Sequence, residues 1–169
     1  LSRDPGRAHS HAARGMALAT LGRTEEAVPS LRHAIRLGID DAAVSNALAG
    51  LLQERGEIGE ARATLEAALA RHQTDVGLAH NLARLLAMAP TREGDTGTAL
   101  RLARAVVEAT GGRDPRALDT LAAAEAAGGD LDSAAATSAR AARLAASQGD
   151  HDLAVQITAR GSAYRRPGQ

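Results

Sequence analysis

The residues best equipped for chemistry are few and scattered. His9 and His11, in the run HSH, offer two imidazoles to a metal. Residues two apart on a helix point to different sides, however, and paired ligands need spacings of three or four. Both histidines are therefore expected on a solvated or groove-facing surface. His151-Asp152 has the look of a base with its orienting acid, but no nucleophile accompanies it. Acids at a helix start, where the dipole is positive, account for that pair better. The turn EGDTG, residues 93–97, lacks the Lys-Ser/Thr that a phosphate loop places next. Glu125 stands alone and is expected to reach solvent or pair with an Arg. The chain has no Cys, which removes thiolate zinc sites, cysteine nucleophiles and disulfides. No catalytic residue, metal site or cofactor is predicted, and the chain is read as a non-enzyme.

Composition narrows the alternatives. With 169 residues the chain can bury a real interior. Its 20 basic residues, all Arg, balance 20 acidic ones, and the charges divide evenly along the chain. That pattern argues against a nucleic-acid partner. No stretch of about 18 uncharged apolar residues is present, so no segment is expected to insert into a membrane. The start, LSRDPGRAHS, lacks the apolar core of a signal peptide and an initiator Met. The simplest expectation is a piece of a longer protein, with no targeting signal within it and its compartment undetermined. Tyr164 is the only Phe, Trp or Tyr. Alanine and leucine must therefore form the core, and alanine favours both helix and close helix approach. An all-α fold follows.

The elements that would position these residues recur at a fixed interval. TLGRTEEAVPSLRHAI, residues 20–35, is followed 34 residues later by ERGEIGEARATLEAAL, residues 54–69. Gly22 pairs with Gly56, Ala27 with Ala61, Leu31 with Leu65 and Ala34 with Ala68. Each unit reads as a helix, a glycine turn and a second helix with apolar residues three and four apart. Thr24 is the expected N-cap of one second helix, with Glu25 and Glu26 suiting its dipole. Pro29 should cost that helix one hydrogen bond. The units are expected at 8–41, 42–75, 76–114 and 115–148, the third carrying an extended inter-helix loop at 89–97. Residues 1–7 read as the end of a truncated preceding repeat. Residues 149–169 read as a C-terminal capping helix and tail carrying Leu153, Ile157 and Tyr164.

Paired helices of 34 residues with this order of small and large side chains resemble the tetratricopeptide repeat (TPR) family. Gly15 matches the family's packing glycine, which Ala49, Ala83 and Ala122 replace. Ala27, Ala61, Ala99 and Ala134 match the first small residue of the second helix. Ala34, Ala68 and Ala141 match the next, and Val106 departs from it. Pro5 matches a closing proline. The family's aromatics are replaced by Leu18, Leu52 and Leu86, and at one position by Glu125. The C-terminal half also resembles repeat tails of larger bacterial proteins. The resemblance implies a right-handed superhelical solenoid of about four repeats plus the capping helix.

The resemblance further implies a non-catalytic module that binds a protein or peptide in a concave groove lined by the first helix of each repeat. Carried over position by position, that groove would present His9, Ala12, Met16 and Thr20, then Asn46, Gly50, Gln53 and Glu54. His80, Arg84 and Met88 would follow, then Arg116, Asp119 and Ala123. Ala12 and Met16 stand where chaperone-binding members carry Lys and Asn, so that carboxylate clamp is absent. Asn81 alone occupies a rung of the family's asparagine ladder. The alternative is a structural or self-assembling scaffold, a homo-oligomer stacking through an exposed N-terminal face that includes Leu18 and Leu21.

Overall fold

The computed structural model describes residues 5–164. Among them are nine α-helices and no strand: α1 (Pro5–Thr20), α2 (Thr24–Arg36), α3 (Ala42–Glu54), α4 (Ile58–Arg71), α5 (Val76–Met88), α6 (Asp95–Ala109), α7 (Pro115–Ala127), α8 (Leu131–Ser147) and α9 (His151–Gly161). A 3-10 turn, Ser162–Tyr164, follows α9. The chain forms two compact units, the first ending at Leu78 and the second beginning at Ala79. The expected ends of the truncated N-terminal repeat and of the C-terminal tail lie partly outside the described residues.

Helix pairing follows from the spacing of small residues. In the first unit Ala27, Leu31 and Ala34 of α2 are fully buried, as are Ala61, Leu65 and Ala68 of α4. Leu48, Ala49 and Leu52 of α3 supply the facing surface. A buried leucine contributes about 1.5–3 kcal/mol and an alanine less, so dense packing must make up the difference. Gly15 shows how dense it is. A Cβ built there would lie 2.6 Å from Leu31 Cδ2 and 3.1 Å from the Leu31 backbone nitrogen.

The hairpin turns explain the recurring glycine. Gly22 and Gly56 adopt φ of +69° and +75°, where a side chain is strained. The next amide then reaches back to close the helix: Arg23 N–H donates to Leu18 O, and Glu57 N–H to Leu52 O. The helices that follow these two turns, α2 and α4, start without a side-chain cap. Thr24 is accordingly the first residue of α2 rather than its N-cap; Arg23 holds that position and makes no capping bond. Side-chain caps occur at other helix starts, including that of α8, where Asp130 accepts from the Ser133 amide. Asp41 accepts from the Ala43 and Val44 amides, Asp75 from Leu78, and Asp114 from Arg116. A salt-bridge cluster adds to the first unit: Arg32 pairs with Glu57 and Glu60.

In the second unit Leu118, Ala141, Ala145, Leu153 and Ile157 form one core cluster, joining α7, α8 and α9. The extended turn is shorter than its sequence suggests. Helix α6 begins at Asp95, so only residues 89–94 are non-helical between α5 and α6. Asp95 is the reason: it is 3% exposed, and its Oδ2 accepts from the Thr91 and Arg92 amides at 2.7 Å each. A buried carboxylate thus folds the loop over its own helix start.

Two further expectations need correction. Leu18 is only 7% exposed, whereas Leu21 is 69% exposed. Of the two leucines named for end-to-end stacking, Leu18 is therefore buried and Leu21 is the exposed one. Glu125 neither reaches solvent fully nor forms an ion pair among the described residues. Its Oε2 is buried with no hydrogen-bond partner. Burial raises its pKa, opposed by a hydrogen bond from Thr137, with Asp130 adding to the rise and Arg104 opposing it.

Two stability measurements test this packing. Gly15→Ala should lose about 1–3 kcal/mol in denaturant unfolding through overpacking against Leu31. Gly50→Ala, where a Cβ meets nothing within 4 Å, should gain about 0.5–1 kcal/mol. Equal effects at the two sites would contradict the close approach at Gly15. Glu125→Met should stabilise the chain by about 1 kcal/mol at neutral pH by removing the unpartnered oxygen. A carboxyl with a raised folded pKa favours folding below its ordinary value of about 4.5, and that contribution fades as pH rises through the folded value. The Met variant should lack this decline, which a series of melts across pH would reveal.

Candidate functional site

Helical spacing places four groups of side chains around one concavity in the second unit. Helix α5 contributes His80, Arg84 and Met88 at intervals of four, with Asn81 beside them. Helix α7 contributes Arg116, Asp119, Thr120 and Ala123. Helix α9 adds Leu153, Gln156 and Arg160, and the turn after it adds Tyr164. Together they line a cavity of about 660 Å³, within the range of sites that hold a ligand.

The seat of α9 depends on a small residue. Gly161 is buried against α8, and a Cβ there would collide with the Ser138 hydroxyl. Ser138 Oγ donates to Ile157 O at 3.4 Å, and Ile157 is fully buried. This contact brings Arg160 within reach of α7: its Nη2 donates to Asp119 Oδ2 at 2.7 Å. Asp114, which caps α7, leaves the Arg116 side chain with no acidic partner among the described residues.

Electrostatics in the cavity are predominantly cationic. Arg84, Arg116 and Arg160 line it with a single acid, Asp119. The Arg84 guanidinium also approaches Met88 Sδ at 3.8 Å. Burial lowers the pKa of His80; Asp114 and Asp119 oppose that shift while Arg84 and Arg116 reinforce it. Its imidazole is therefore neutral at pH 7 and offers both a donor and an acceptor. Burial pushes the Tyr164 phenol up, helped by Asp119 and opposed by Arg160.

Of the residues predicted for the groove, His80, Arg84, Met88, Arg116 and Asp119 come together here. His9, Met16, Asn46 and Gln53 belong to the first unit and do not line this cavity. His9 is exposed on α1; Met16, Asn46 and Gln53 are half-buried on α1 and α3. Ala12, read as groove-facing, is instead 7% exposed and belongs to the core. The sequence assigns the last helix a capping role, and the structure adds Leu153, Gln156, Arg160 and Tyr164 to the cavity lining. The spacing 153, 156, 160, 164 was the available signal.

The first unit has a separate concavity of about 420 Å³, lined by residues that include Arg32, Ile35, Ser45, Leu48 and Ala67. None of the predicted groove residues lies there. His11, meanwhile, meets His33 of α2 edge to face, with ring centroids 4.3 Å apart. Among the described residues no cluster of three His, Asp or Glu could hold a metal, and no helix is long and apolar enough to cross a membrane.

Paired helices joined by glycine turns define a class of repeat protein. Residues 18–89 match the family model described as Tetratricopeptide repeat. Solved structures extend the likeness in fold to nearly the whole chain. MamA, residues 41 to the end, from Desulfovibrio magneticus RS-1 is 17% identical with a TM-score of 0.68, over 96% of this chain and 97% of that one. YrrB, described as a TPR protein with an unusual peptide-binding site, is 21% identical with a TM-score of 0.73, over 92% of this chain and 76% of that one. TTC0263, a thermophilic TPR protein in Thermus thermophilus, is 19% identical with a TM-score of 0.62, over 95% and 93%. No curated protein matches the sequence. The fold is an all-α repeat architecture of the TPR type.

The state of His80 is open to test. A histidine whose folded pKa lies below its ordinary value of about 6.5 opposes folding once it must be protonated. Stability should therefore fall as pH drops from about 6.5 toward the folded value. His80→Gln should flatten that part of the profile in thermal melts. An unchanged slope would mean that His80 is not the group responsible.

Proposed function

We propose that this chain is a non-catalytic interaction module that binds a peptide or partner segment in the cavity of its second unit. The supporting observation is the convergence of α5, α7 and α9, which surrounds about 660 Å³ with amide, guanidinium, imidazole and apolar groups. Asn81 and Gln156 can satisfy an extended backbone, since each carries both donors and an acceptor. Leu153, Ala123 and Met88 provide apolar contact for side chains. Among the described residues no activated nucleophile or paired base lines the space, which is suited to holding a ligand. The peptide-binding description of YrrB, a protein of similar fold, adds weight to this reading.

Tyr164 provides a direct assay. It is the only aromatic residue of Phe, Trp and Tyr in the chain and lines the cavity, so its emission reports on the site without labelling. Titration with a degenerate octapeptide pool should change that emission saturably. Ala123→Phe, which fills part of the cavity floor, should weaken binding by about tenfold or more while helicity stays constant. Undiminished binding by that variant would move the site away from this cavity.

A further inference from the structure

The charge of the cavity narrows its ligand further. Three guanidiniums, those of Arg84, Arg116 and Arg160, line it with one carboxylate, Asp119. That carboxylate is already engaged by Arg160 at 2.7 Å. The other nearby acid, Asp114, is turned to the α7 backbone, where it accepts from the Arg116 amide at 2.8 Å. Arg116 thus brings a positive charge to the rim with no acid paired to it among the described residues.

On the reading that the cavity binds peptides, we infer that its ligand is an acidic segment, whose Asp or Glu carboxylates lie against Arg84 and Arg116. Guanidinium forks match carboxylates in shape as well as charge. The amides of Asn81 and Gln156 take the intervening backbone. A long polyanion such as nucleic acid fits less well. The chain as a whole carries 20 acidic against 20 basic residues, so no wider positive field extends the cavity's local excess. Asp119 serves a second purpose here: it holds Arg160 on the α7 side and leaves room between α5 and α7 for the incoming carboxylates.

The test compares three degenerate octapeptide pools, identical except at alternate positions fixed as Asp/Glu, Asn/Gln or Lys/Arg. Binding is read from Tyr164 emission and, independently, from peptide retained on immobilised protein. The acidic pool should bind about tenfold more tightly than the amide pool at ~50 mM salt, and this advantage should shrink at ~500 mM. Arg84→Gln and Arg116→Gln should each reduce the preference by about threefold to tenfold. Arg116 is exposed and Arg84 half-buried, and circular dichroism checks that the fold is kept. Equal binding of the acidic and amide pools, or a preference for the basic pool, would overturn the acidic class while leaving a peptide site in place. If no pool binds by either readout, the peptide reading of the cavity falls with it.

Discussion

Everything in this protein depends on close approach between helices that have almost no aromatic side chains to fill space. Ala27, Ala34, Ala61, Ala68, Ala99, Ala103, Ala134 and Ala141 are all fully buried. Such residues gain little individually from leaving water, so the helices must come near enough for dispersion to accumulate. Gly15 against Leu31 and Gly161 against Ser138 mark where even a methyl group is too much. These contacts set where neighbouring helices sit, and therefore which side chains face one another across a cavity.

The same constraint separates structural from functional polar groups. Asp41, Asp75, Asp114 and Asp95 are consumed by backbone amides at helix starts and in the 89–94 loop. Arg32 is consumed by Glu57 and Glu60. Guanidiniums exceed carboxylates in both concavities, but in the first unit Arg32 and Arg71 are held by Glu57, Glu60 and Asp40, whereas Arg116 of the second-unit cavity has no ion pair among the described residues. Glu125 shows the reverse case. It stands where the resembled family has an aromatic, and the small residues around it leave one of its oxygens buried and unpartnered.

The cavity also shows how a terminal helix can serve two ends. Leu153 and Ile157 seal the last core cluster, while Gln156, Arg160 and Tyr164 turn toward α5 and α7. One helix face supplies both because its residues fall a few tens of degrees apart around the axis. Arg160 and Asp119, 41 residues apart, are joined across this junction. A ligand in the cavity would thus touch the element that closes the unit.

Repeat length, the glycine turns, the alanine faces and the all-α class were legible in the sequence because each is a local property. A 34-residue interval reports one helical hairpin, and apolar spacings of three and four report one buried face. The groups on α5 and α7 were legible too, since position within a repeat predicts which way a side chain points. Sequence misjudged the start of α2, where Arg23 rather than Thr24 holds the N-cap position, and the extended loop, which Asp95 shortens. It could not join Arg160 to Asp119, set His11 beside His33, or bring α9 to the cavity. Those outcomes are decided by how closely one helix settles on the next, and that distance is fixed only when the small residues of both faces meet.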